Sequence, residues 1–222
     1  MKPRPLLTAA ALTLTATLLT ACGADQSTTD DTPIAGADQS PTPTTESETS
    51  TPTPSPENAP DGVDLSLPDD INLLFEWDTP DDQNEAAALE DAANYMRAIY
   101  RGVSQRTAAE PAVANYAKDH GIEYARTQID ARLEGGWTAT GTKRFSQSAT
   151  RSAPNGDVVE VTFCSDSTYF YGKEVDTGKV LKTEPSIVDF SHYKIVMIEH
   201  PSLEGLWQAA QVFVEPEAEK CR

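Results

Sequence analysis

Few side chains in this sequence could do chemistry, and none stands in a spacing that forces a reaction. The three histidines, His120, His192 and His200, share no ligand spacing with one another or with a cysteine or carboxylate of the kind zinc requires. His120 sits beside Gly121 at a helix break and His200 precedes Pro201, so both read as solvated turn residues. His192 falls in a strand-like run and can face either side of a sheet; an ordinary half-buried histidine is the simpler reading. No serine occupies a Gly-x-Ser-x-Gly turn, and no glycine-rich loop leads from a strand into a helix. Acyl-transfer and nucleotide chemistry are therefore unsupported, and no cofactor or metal is implied. Asp166 follows Cys164 and reads as a cap for the Ser167-Thr168 turn. Tyr169 and Tyr171 flank Phe170, where they would either line a binding mouth or finish a sheet, core being the favoured reading.

The elements that must position these groups are legible from periodicity. Thr79-Pro80-Asp81-Asp82 is a helix start, with a cap candidate, proline at the first position and acids at the positive end of the dipole. Leu89, Ala92, Ala93, Met96, Ile99, Tyr100 and Val103 then recur at spacings of three and four, which makes one apolar stripe. A weaker helical stretch covers Pro111–Lys118. A third follows Gly121, with Ile122, Ala125, Ile129 and Leu133 on one face, and stops at Gly135-Gly136. Strands are expected at Trp137–Ser148, Val158–Phe163, Tyr169–Lys173, Ser191–Glu199 and Leu206–Val214, with a turn at Pro154-Asn155-Gly156-Asp157. Helices first and consecutive strands afterwards is a segregated α+β order.

Charge divides the chain more sharply than length does. Of 17 basic residues, Lys2 and Arg4 open the sequence, none falls between Cys22 and Asp82, and 15 follow; the 35 acidic residues split as 0, 15 and 20 over the same stretches. The formal charge of −18 thus belongs mostly to a middle segment rich in Thr, Ser and Pro, too poor in apolar groups to offset its ordering entropy. Residues 22–80 are expected to be a disordered tether, spanning about 40–45 Å as a coil, and 81–222 to be one folded domain. Within the tether, the apolar groups from Leu65 to Trp77 read first as an arm packing on the domain, and alternatively as a partner-binding segment. A chain with this charge and no basic block is a poor nucleic-acid binder.

Lys2 and Arg4, the apolar run Leu6–Leu19 and the small-residue end at Ala21 describe a secretory signal peptide over residues 1–21. Leu19-Thr20-Ala21-Cys22 resembles the lipobox of bacterial lipoproteins. The resemblance implies a diacylglyceryl group on the Cys22 sulfur, removal of the residues before it, and an extracytoplasmic domain held to the cell membrane. Two acyl chains anchor firmly, at roughly 0.8 kcal/mol per buried CH₂.

Helix, two shorter helices and a long antiparallel meander is also the order of the nuclear-transport-factor-2-like, or cystatin-like, fold. Val161–Thr168 (VTFCSDST) and Gly205–Cys221 (GLWQAAQVFVEPEAEKC) resemble a group of actinobacterial secreted lipoproteins carrying that domain. The resemblance implies helices packed in a strongly curved antiparallel sheet, a cone with a pocket at its mouth. Isomerase- and cyclase-type enzymes of that fold set an acid or histidine against tyrosines, which makes Tyr95, Tyr116, Tyr124, Asp166, Tyr169, Tyr171 and His192 the candidate pocket residues. In the lipoprotein group the Cys-x-Asp cysteine pairs with the one after the last strand, here Cys164 and Cys221. Export alone favours the same bridge, since two leftover cysteines in an oxidising compartment usually pair. It is worth about 4 kcal/mol in the chain-entropy picture. A redox or metal pair would lack the usual Cys-x-x-Cys spacing. The functional expectation is a non-catalytic binding or accessory domain for an envelope protein, glycan or small ligand; the alternative is a small isomerase- or cyclase-type enzyme.

Overall fold

Strand pairing in the computed structural model begins before the first helix, and residues 62–222 are described. The signal segment, Cys22 and the tether up to Asp61 lie outside the described residues. Ile71–Glu76 forms β1, followed by helices α1 (Gln83–Ser104), α2 (Pro111–Tyr116) and α3 (Asp119–Glu134). Then come β2 (Trp137–Ser152), β3 (Val158–Glu174), β4 (Val180–Leu181), β5 (Phe190–Glu199) and β6 (Trp207–Pro216). The sheet runs β1-β2-β3-β5-β6, with β4 paired to the far end of β3. Among the described residues no helix is long and apolar enough to cross a membrane.

Two expectations need correction. The folded unit does not start at residue 81: Leu65 is fully buried, and Ile71 and Leu73 belong to the same core. The apolar content of Leu65–Trp77 is therefore an arm built into the domain, tied down by Asp70, whose carbonyl accepts from Gly141 N at 2.7 Å and whose carboxylate meets Lys173 at 2.7 Å. Nor is the sheet wholly antiparallel, because β1 runs parallel to β2. A strand entered before the helices returns to the sheet through a helical crossover, which is what parallel pairing requires.

Helix α1 starts later than expected, so Pro80 lies before it and not at its first position. Asp82 caps α1 by accepting from the backbone of Asn84 and Glu85, each at 3.0 Å, and the whole stripe from Leu89 to Val103 is buried. Glu110 caps α2 ahead of Pro111. Helix α3 begins at Asp119, earlier than expected, because Gly121 lies in its first turn against β6. A Cβ on Gly121 would stand 1.9 Å from the Ala209 carbonyl oxygen, so only glycine lets helix and strand approach this closely.

The expected strands at Val158–Phe163 and Tyr169–Lys173 are one strand, β3, bulged in the middle. Thr142 pairs with Tyr169 and Arg144 with Asp166, so Lys143 alone opposes Ser167 and Thr168. An extra residue bends a strand and reverses which side chains face inward beyond it. A second irregularity lies between Ser146 and Ala149 of β2, and a third between Val196 and Met197 of β5 against β6. The bent sheet lies against α1, which touches β2, β3, β5 and β6. Between them Phe145, Phe163, Val159, Val161, Ile195, Met197 and Trp207 are fully buried. On the opposite face Cys164 and Cys221 are joined by a disulfide, Cα–Cα 5.3 Å, that holds the C-terminal turn over Ala218 and Phe190.

Candidate functional site

The inner face of the sheet gathers three of the expected pocket residues. Tyr95 is fully buried on α1 and its hydroxyl donates to the Gly121 carbonyl at 2.7 Å. Burial pushes that phenol well above its ordinary range. Tyr124, on α3, donates to the Tyr193 hydroxyl of β5 at 3.3 Å, and burial raises it to about 12. Tyr193 is raised further, by burial first and then by the neighbouring Tyr124. These hydroxyls stay protonated at any physiological pH; those of Tyr95 and Tyr124 donate, and that of Tyr193 accepts from Tyr124. Tyr116 is buried near α1 and borders a cleft of about 440 Å³ with Asp91 and the loop Ser202–Leu206. An adjoining cleft of about 520 Å³ shares that loop and reaches His200 and Glu199.

Four of the expected residues are elsewhere. Asp166 and His192 point to the outer face, because each alternates with a core residue, Phe163 or Ser165 in one strand and Tyr193 in the other. Asp166 accepts from its own neighbour Thr168 N at 2.8 Å. His192 stands in register between Cys164 and Glu215, and desolvation, then Lys220, lowers its pKa. Tyr169 and Tyr171 follow the bulge, which turns them out and turns Phe170 in: Tyr169 is 65% exposed, whereas Phe170 meets the Tyr100 ring edge-on at 5.0 Å. Of the remaining histidines, His120 accepts from Val212 N at 3.4 Å and His200 from Ser202 N at 3.2 Å.

Periodicity alone did not single out the groups that complete the inner face. Lys143 is only 7% exposed, and its ammonium donates to Ser167 Oγ between the rings of Phe145 and Phe170, each 5.8 Å away. Ser165 Oγ is buried with no hydrogen-bond partner among the described residues. Arg132 of α3 lies over the rings of Tyr100 and Trp137 at 5.7 and 5.6 Å. The signal for Lys143 was its place on one side of β2 with Ala139 and Phe145, a cation on an otherwise apolar face. Among the described residues two carboxylates are buried. Asp91 accepts from Trp207 N at 2.8 Å and Asn94 at 3.1 Å, and Glu110 is paired with Arg101 at 3.1 Å. Among the described residues no group of three or more His, Cys, Asp or Glu is placed to hold a metal ion.

No protein-family model matches the chain, and no curated protein matches it. Among solved structures, the crystal structure of a ketosteroid isomerase-like protein from Erwinia carotovora atroseptica SCRI1043 is similar at 17% identity and a TM-score of 0.39. The match covers 60% of this chain and 95% of that one. At that level of likeness nothing about activity carries across.

Proposed function

We propose that this chain is a lipid-anchored extracytoplasmic protein whose domain, carried on an acidic tether, binds a partner or ligand without transforming it. The observation that carries the second half is how the inner face is filled. Where an isomerase or cyclase would need a carboxylate or histidine, the space holds Phe145, Phe163, Tyr193 and Met197, and Asp166 and His192 lie on the other side of the sheet. Asp91 borders a cleft, but each of its oxygens already accepts a hydrogen bond. A base engaged in this way is poorly prepared to take a proton from a substrate.

The anchor rests on Lys2, Arg4, the apolar run to Leu19 and Cys22. The Cys164–Cys221 bridge supports export, since such bonds persist in oxidising compartments. The test is fractionation of cells expressing the full chain or its Cys22→Ser variant. The proposal expects the first in the membrane pellet, released only by detergent, and the second as an uncleaved precursor or in the soluble fraction. Equal membrane retention of both at unchanged mobility would overturn it.

A further inference from the structure

We propose that the inner-face end of the sheet around Lys143 and Arg132 binds a small organic carboxylate with a flat apolar body. The inference rests on the binding reading above and names the ligand class for it. Six side chains make up this end of the inner face. Arg132 lies over Tyr100 at 5.7 Å, Tyr100 meets Phe170 at 5.0 Å, and Phe170 flanks the Lys143 ammonium at 5.8 Å. Tyr193 pairs with Tyr124 at 3.3 Å. These six side chains include two cations and no anion.

Among the described residues Arg97, Arg101, Arg144, Arg151, Lys173, Lys194 and Lys220 stand in ion pairs; of the cations that do not, Lys143 is the buried one. Lys143 is more than nine-tenths buried, yet has one serine hydroxyl as its acceptor. Arg132 donates only to Gln128 of its own helix. A buried lysine is seldom left without a counter-charge. The unpartnered Ser165 hydroxyl lies on the same face of the sheet, two residues along β3 from Ser167, and supplies a further donor. A carboxylate would satisfy the Lys143 ammonium and the Ser165 and Ser167 hydroxyls by charge-assisted bonds that a neutral group cannot equal. Tyr100, Tyr124 and Phe170 offer ring surface for a flat apolar body.

The test is a chemical-shift titration of the full-length chain in detergent with benzoate, and with benzyl alcohol as the neutral control. A fragment of this size is expected to bind in roughly the millimolar range. Saturable shifts should centre on the amides of Lys143, Ser165–Phe170 and Tyr193. Lys143→Met should weaken benzoate about ten-fold or more, without lowering Tm, because it removes an ammonium that has no carboxylate partner. Arg132→Gln gives the same readout should Lys143→Met fail to fold. Absence of saturable shifts, equal affinity in wild type and variants, or equal binding of benzyl alcohol overturns the proposal. Any of these with the chain still lipid-anchored removes the ligand class and leaves the anchored-domain reading standing.

Discussion

Replacing Leu65 with alanine separates two accounts of the stretch before the first helix. In a tether the change would be silent. In the structure Leu65 has no exposed surface and packs in the main core, between Asp64 and Ser66, which Arg101 grips from α1 through a 2.8 Å ion pair and a 3.1 Å bond to the Ser66 carbonyl. Burying a leucine is worth about 1.5–3 kcal/mol, and the cavity left by truncation adds to that, so the loss should fall at about 2–5 kcal/mol. In a domain of this size each kcal/mol moves Tm by roughly 2–4 °C, so a loss of about 3 kcal/mol lowers it by roughly 6–12 °C. Thermal unfolding of the full chain followed by circular dichroism measures this directly, with Val188→Ala, 64% exposed, as the silent control. A Leu65→Ala midpoint within about 1 °C of wild type would refute the claim that this arm is part of the core.

Other consequences follow from single contacts. Opening the Cys164–Cys221 bridge, by reductant or as Cys221→Ser, should cost about 4 kcal/mol by loop closure over the separation of 57 residues. Urea unfolding with and without reductant checks it, and coincident curves would contradict it. Gly121→Ala should destabilise by about 1–3 kcal/mol, because the new methyl meets the Ala209 carbonyl and α3 must draw back from β6; an unchanged Tm would show that the helix moves freely. Acid should unfold the domain through its hydrogen-bonded carboxylates. Asp70, held by Lys173, and Glu85, held by Thr150, both lie below their ordinary values of 3.8 and 4.5. Groups depressed in the folded state contribute stability above those values and lose it as pH falls through the folded ones. The fall in stability below about pH 4.5 should therefore be shallower in Glu85→Gln than in wild type, and parallel curves would remove Glu85 from the explanation.

What the sequence disclosed depended on how local each signal was. The stripe from Leu89 to Val103 needs only its own helix and is found as read, whereas the cap is Asp82, two residues past the proline expected at the first position. β1 was hidden because its six residues sit in an acidic, proline-rich context and its partner β2 lies beyond all three helices. The site was obscured by the β3 bulge. Simple alternation treats Tyr169 and Tyr171 together with Phe170 as one aromatic run, but the extra residue opposite Lys143 decides which faces in. Tyr95 and Tyr124 entered only through the fold resemblance, and the isolation of Lys143 from any carboxylate is a three-dimensional fact that no spacing encodes.

Whether the mature protein begins at a lipidated cysteine is read most directly by mass spectrometry of its N-terminal peptide, recovered from membranes by detergent. The account predicts a peptide starting at Cys22 and heavier by a diacylglyceryl group. A peptide that still carries residues 1–21, or a mature terminus with an unmodified Cys22 thiol, would contradict it.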